Sequence, residues 1–127
     1  MSNVVFDSSA VLALLHHEPG EHLVWELAPN AFLSSVNAAE VHGKLMSEGF
    51  ERDDAWDAVA GSVQTIVPFD ADQAEITGSL APPTRSLGLS LGDRACLALG
   101  RTLQLPVYTA DRSWGKLRMD VDIRLIR

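Results

Sequence analysis

Apolar positions along the chain keep two rhythms. Short runs rich in aliphatic and β-branched residues, Asn3–Phe6, Ala31–Ser34, Thr65–Phe69 and Pro106–Thr109, have the length and composition of strands. Longer stretches between them read as helices: Ser8–His17, closed by Pro19 and Gly20; Glu21–Leu27; a segment capped by Ser34 or Ser35 and running to about Ser47; and Asp53–Val63. In that last stretch Trp56, Val59, Ala60 and Val63 recur at i, i+3, i+4 and i+7, which predicts a helix face turned to the core. Asp70 starts a further helix to about Leu80, Pro82-Pro83 predicts a break and a loop to Leu89, and Ser90 caps a helix reaching Leu103. Asp111–Leu117 reads as a turn or short helix, and Val121–Ile126 as a closing alternating segment. Strands of this length alternating with helices need crossover connections. The pattern therefore predicts a three-layer α/β/α sandwich with a mainly parallel, short-stranded central sheet. A chain of 127 residues without repeats or linkers predicts one domain, 1–127.

Composition narrows the class. With 46% hydrophobic and 21% charged residues the chain is that of a folded globular protein. Its longest apolar run, Ala10 to Leu15, falls far short of the roughly 20 residues of a membrane span, and no basic residue precedes it as in a secretory signal. No membrane association and a cytoplasmic location are expected. The single cysteine, Cys96, lies in the apolar stretch Ala95–Leu99 and reads as a buried, inert thiol. Net charge is −7, which argues against a protein that coats nucleic acid by neutralising phosphates. The charge is nevertheless polarised: Lys44 and Arg52 stand against thirteen acids before Arg85, whereas eight basic residues stand against four acids from Arg85 onward. The second portion leaves room for a local anion-binding face.

Open α/β sheets bind ligands at the carboxyl ends of their strands, and acids stand in those places. Asp7 follows the first strand; Asp111 follows the strand at Pro106–Thr109 after one alanine; Glu40 and Asp93 sit in early turns of the helices from Ser34/Ser35 and Ser90. Small and apolar neighbours surround each, so partly buried carboxylates are expected. Each also has a purely structural reading: Asp7 and Asp111 as helix N-caps, Ser90-Leu91-Gly92-Asp93 as a capping box, Glu40 as a solvent-facing helix residue. Together they argue differently, because two carboxylates about 4 Å apart repel by about 4 kcal/mol at an effective dielectric near 20 unless a cation sits among them. Oxygen-only donors favour Mg²⁺ or Mn²⁺. The four histidines have no zinc-ligand spacing, and Gly88 and Gly92 do not make a phosphate-binding loop.

Four segments carry a resemblance: Val4-Val5-Phe6-Asp7-Ser8-Ser9-Ala10; Glu40 in the helix after Ser34-Ser35; Gly88-Leu89-Ser90-Leu91-Gly92-Asp93-Arg94-Ala95; and Val107-Tyr108-Thr109-Ala110-Asp111-Arg112-Ser113-Trp114. In this order and spacing they resemble the PIN domain, and more narrowly the VapC toxins of type II toxin–antitoxin pairs. The resemblance implies a metal-dependent endoribonuclease in which Asp7, Glu40, Asp93 and Asp111 hold Mg²⁺ or Mn²⁺. It implies structured RNA such as tRNA or rRNA as substrate, products with 5′-phosphate and 3′-hydroxyl ends, a cognate VapB-like antitoxin and a homodimer.

Within that frame Ser9 and Thr109 are candidates to orient a carboxylate, or equally to bond local backbone. Arg85, Arg94, Arg112 and Lys116 are the candidate phosphate contacts, and Arg94 has neutralisation of Asp93 or of a sheet-end carbonyl as its alternative. Trp114 reads as a packing residue, with base stacking as the alternative. Two other functional classes share features: a non-catalytic module of the same fold, and a phosphoacceptor receiver domain. The receiver lacks support, since no adjacent acid pair follows the first strand and no lysine follows the late strand at Val107–Thr109.

Overall fold

The structure is a computed structural model describing residues 2–127. Val4, Val5 and Phe6 form β1 (Val4–Phe6), with every residue buried. Side chains alternate across a strand, so Val4 and Phe6 enter one hydrophobic cluster and Val5 another. Such a strand is covered on both faces and belongs in the middle of a sheet. The order is β3-β2-β1-β4-β5, with β2 (Ala31–Ser34), β3 (Thr65–Val67), β4 (Val107–Thr109) and β5 (Ile123–Leu125). All four pairings are parallel, giving the α/β/α sandwich expected from the alternation of short strands and helices.

One face is covered by α1 (Ser8–Leu15), α2 (Glu21–Leu27), α3 (Ser35–Ser47) and α4 (Arg52–Gly61), whose Val11, Val24, Val41, Leu45 and Val59 pack with Val4, Phe6 and Leu33. On the other, α7 (Leu91–Leu103) brings Cys96, Leu97 and Leu99 against Val5, Val107 and Trp114, while α5 (Ala71–Ser79) packs along α7. Trp114 is 1% exposed and is therefore core, which leaves no face for stacking a base. Cys96 is fully buried, and desolvation pushes its thiol well above the ordinary range. Among the described residues no helix is long and apolar enough to cross a membrane.

Two expectations are corrected. In α4 the buried positions are Ala55 and Val59, whereas Trp56 is 42% exposed and Ala60 is exposed. Small side chains let α4 lie close on α3, and the indole is left at the margin, edge-on to the His42 ring at 5.5 Å. Pro82 and Pro83 do not open a loop: they occupy the first turn of α6 (Ala81–Thr84), where a helix has no use for the missing N–H, and a 3-10 turn follows at Arg85–Leu87.

Register sets up the chemistry. Phe6 pairs with Leu33 on one side and with Tyr108 on the other, so the carboxyl ends of β2, β1 and β4 stop at one level. Asp7, Ser34 and Thr109 stand side by side at that edge.

Candidate active site

Asp7 is the N-cap of α1: its Oδ1 accepts the Ala10 N–H at 2.8 Å. A cap is normally wet, but this one is 3% exposed. The register that sets β4 beside β1 brings Thr109 to it, and the Thr109 hydroxyl donates to Asp7 Oδ2 at 2.6 Å while the Ser9 hydroxyl donates at 2.7 Å to Oδ1. Both hydroxyls are themselves held. Ser9 Oγ accepts the Ala110 N–H at 2.9 Å and Thr109 Oγ1 accepts the Asp111 N–H at 3.0 Å, which directs their protons to the carboxylate. Even so, burial pushes the Asp7 carboxyl up to about 6 from an ordinary 3.8; the Thr109, Ala10 and Ser9 donors pull it back, and the nearby charge of Asp93 adds to the rise.

Glu40 reaches the same edge from α3. Its Oε1 accepts from the Ser8 hydroxyl at 2.6 Å and from the Asn37 amide at 3.0 Å. Asn37 lies one helical turn before Glu40, is 1% exposed, and also donates to the Gly92 carbonyl at 3.0 Å, joining α3 to the start of α7. Gly92 leaves room for Glu40 where it lies: a Cβ built there would fall inside the Glu40 carboxylate and push it aside.

Asp93, the next residue, is half-buried. It closes the capping box expected from Ser90-Leu91-Gly92-Asp93: its Oδ2 accepts the Ser90 N–H at 2.9 Å and its own N–H donates to Ser90 Oγ at 3.2 Å. Asp111, exposed, is the N-cap of the 3-10 turn Arg112–Lys116, and its Oδ1 accepts the Ser113 N–H at 2.9 Å and the Ser113 hydroxyl at 2.7 Å. The capping readings of Asp7, Asp93 and Asp111 are thus all realised. They occupy one oxygen each of Asp93 and Asp111, and among the described residues no protein donor meets the second oxygen of Glu40, Asp93 or Asp111.

The structure gathers Asp7, Glu40 and Asp93 around one end of the sheet, all three charges being felt at the Cys96 thiol, and ties Asp111 to Asp7 through Thr109. The carboxylates do not close into a cage: among the described residues no three His, Cys, Asp or Glu groups stand together at ligating separation. The donor set still fits a hard divalent cation. It is oxygen throughout, its deepest member is desolvated beside a like charge, and the buried Asn37 Oδ1 next to Glu40 has no hydrogen-bond partner.

The expected phosphate contacts disperse. Arg94 Nη1 donates to the Thr77 carbonyl of α5 at 3.1 Å, and it makes no ion pair with Asp93. Arg112 Nη1 donates to the Arg127 carbonyl at 3.2 Å. Arg85 and Lys116 are exposed, without an acid in ion-pair range among the described residues. Sequence reasoning missed Ser8, Asn37 and Gly92. The spacing Asn37-Ala38-Ala39-Glu40 puts an amide one turn before a carboxylate and was the available signal for Asn37; Ser8 and Gly92 act across elements and have none.

The family model described as PIN domain matches residues 4–118. No curated protein matches the sequence. Among solved structures, the fold is similar to "Toxin-antitoxin complex from Klebsiella pneumoniae", with TM-score 0.72 and 17% identity, covering 95% of this chain and 100% of that one. It is similar to "Crystal structure of DNA bound VapBC from Salmonella typhimurium", with TM-score 0.74, 14% identity and both chains covered in full. It also resembles VapBC-5 from Mycobacterium tuberculosis, a member of the VapBC family of toxin–antitoxin systems, at TM-score 0.62 and 19% identity, covering 100% of this chain and 99% of that one.

Proposed function

The chain belongs to the PIN domain family, and from that premise we propose that residues 1–127 act as one catalytic domain, a VapC-type endoribonuclease dependent on Mg²⁺ or Mn²⁺. The observation that carries the reading is Asp7: a buried carboxylate clamped by Ser9 and Thr109, with its pKa pushed up to about 6 by burial and, to a lesser degree, by the charge of Asp93. Capping α1 needs none of this, since a serine or asparagine caps as well without a buried charge.

Asp7, Glu40, Asp93 and Asp111 would hold the ion. A divalent cation there supplies Lewis acidity, lowering the pKa of water for attack on a phosphodiester and offsetting charge on the leaving oxygen. The chain's own part is preorganisation. Ser9 and Thr109 fix the plane of the Asp7 carboxylate, Ser8 and Asn37 hold Glu40 by one oxygen, and the caps at Ser90 and Ser113 do the same for Asp93 and Asp111. Of these four candidates, Arg85 and Lys116 are free to meet RNA phosphates, whereas Arg94 and Arg112 must first release backbone carbonyls. The substrate class is structured RNA, tRNA or rRNA.

A VapB-like antitoxin belongs to the same proposal. A groove of about 540 Å³ between α2 and α4 is lined by Leu14, Leu15 and Trp25 with Glu21 at its side, and Trp25 is 71% exposed. A basic amphipathic segment suits such a surface on the acid-rich part of the chain. For the homodimer, the exposed Met46, Phe50 and Trp56 offer apolar surface on and beside the neighbouring helices α3 and α4.

The test incubates purified protein with labelled structured RNA in Mn²⁺ or in EDTA, alongside Asp7→Ala and Asp93→Ala. Cleavage that needs the ion and disappears in both variants supports the reading; intact RNA with wild-type protein in Mn²⁺ overturns it. Acyl-phosphate formation from a small phosphodonor would identify a receiver domain instead. Mn²⁺ should also raise the thermal midpoint of the wild type and leave that of Asp7→Ala unmoved, a readout independent of turnover.

A further inference from the structure

A second concavity lies away from the acids. It measures about 480 Å³ and runs between α6, with its following turn, and the segment 116–119. Leu80, Leu117 and Met119 give it an apolar lining, while Arg101, Lys116 and Arg118 supply its charge. Arg101 is spoken for, donating to Asp120 Oδ1 at 2.8 and 3.1 Å. Lys116 and Arg118 are exposed and, among the described residues, have no acid within ion-pair range. On a chain with seventeen acids against ten lysines and arginines, these two exposed cations, two residues apart on one wall of the cleft, form a local positive spot that packing does not require.

The cleft is also connected to the acidic edge. Asp111 caps the 3-10 turn that ends at Lys116, so at roughly 2 Å per residue the cationic rim begins about 10 Å from the carboxylate. An apolar bed for a base and ammonium or guanidinium groups for its phosphate are what a single-stranded nucleotide needs.

We propose that this cleft holds a nucleotide of the RNA strand flanking the cut, its base against Leu117 and Met119 and its phosphate between Lys116 and Arg118. The assignment rests on the nuclease reading above and adds Arg118, Leu117 and Met119 to the residues that position substrate.

The experiment measures binding of a fluorescent single-stranded RNA by anisotropy over a salt series in Mg²⁺, in an Asp7→Asn background that leaves the RNA uncut. Adding Lys116→Ala and Arg118→Ala should make the slope of log affinity against log salt shallower by about 1.4, two phosphate contacts at about 0.7 each. Met119→Ala should weaken binding at every salt concentration and leave the slope alone. Lys116 and Arg118 are exposed, so the thermal midpoint of that double variant should hold, whereas Met119 is half-buried against the core and its variant is compared with its parent at a temperature where both midpoints show the proteins folded. An unchanged slope overturns the cleft, and wild-type cleavage in Mn²⁺ then shows that the nuclease reading survives without it. RNA neither bound nor cleaved by wild-type protein removes both. A mononucleotide that displaces the RNA as effectively as an unlabelled strand overturns the strand assignment in favour of a free-nucleotide site, and a polyglutamate that does so points to an acidic peptide.

Discussion

The ends of β1 and β4 carry the same local device with opposite surroundings. Asp7 and Asp111 each follow a strand, and each caps the helical turn after it, with backbone acceptor distances of 2.8 and 2.9 Å. Yet Asp7 is 3% exposed and Asp111 is on the surface. Around Asp111 the serine two residues on satisfies the carboxylate and water does the rest. Around Asp7 the fold has to bring a threonine from a strand a hundred residues away, and desolvation still pushes the carboxyl up to about 6. A cap stabilises a helix when it is wet; buried, it is a charge held against its own solvation. The function proposed for Asp7 would account for that asymmetry.

Replacing Asp7 tests the asymmetry most severely. Asp7→Asn keeps the size and the Ala10 cap, and its amide can donate to the Thr109 oxygen, so the helix start survives. Metal-dependent cleavage should fall to background in the gel assay. Stability should move the other way. Below about 3.8 the carboxyl is protonated folded or unfolded; between that value and about 6 the folded chain keeps the proton that the unfolded chain has lost. Wild-type stability therefore falls as pH rises through this interval, by about 3 kcal/mol in metal-free protein for a shift of this size. Urea unfolding in EDTA at pH 7.5 should show Asn more stable than Asp, and at pH 3.5 the two should coincide. A variant less stable at both would mean that the buried charge is fully compensated, and the comparison with Asp111 would lose its basis.

The second effect in size concerns the support on the α3 side. Asn37→Ala removes donors from Glu40, from Ser8 and from the buried Gly92 carbonyl, so unfolding in urea should cost about 1–3 kcal/mol less. Gly92→Ala should show a smaller change, under about 1 kcal/mol. A Cβ there displaces the exposed end of Glu40, and alanine repays part of that cost through its helix propensity. Its cleavage rate should nevertheless fall as far as that of Glu40→Gln. An active Gly92→Ala would detach Glu40 from the chemistry.

These outcomes bear on what a sequence shows. The α/β/α class was legible because the short apolar runs are separated by helical stretches long enough for crossovers, and the start of α7 was legible because Ser90 and Asp93 write a capping box locally. The positions of the four acids were legible for the same reason: strand ends and helix starts are local events. Trp56 was misplaced because periodicity sees one helix and not the neighbour that only small side chains admit. Pro82 and Pro83 were misread because a proline pair breaks a helix interior but starts a first turn equally well. Ser8, Asn37 and Gly92 act between α1, α3 and α7, and such contacts exist only once register has fixed which ends meet. Nor does sequence distinguish Asp7 from Asp111, since their neighbours along the chain are alike and their neighbours in space are not.

The smallest expected effect closes the comparison at β4. Asp111→Asn keeps a capping oxygen for the Ser113 N–H, so urea unfolding should shift by no more than about 0.5 kcal/mol at pH 7.5. Asn at Asp7 is expected to stabilise and Asn at Asp111 to do almost nothing, although both should depress metal-dependent cleavage. A gain at Asp111 comparable to that at Asp7 would show that its charge is also held at a cost, through the Thr109 hydroxyl that receives its N–H and donates to Asp7. Combining both substitutions decides between the two accounts. Independent sites give additive shifts within about 0.5 kcal/mol, whereas carboxylates that repel one another across Thr109 give a double variant that gains less than the sum.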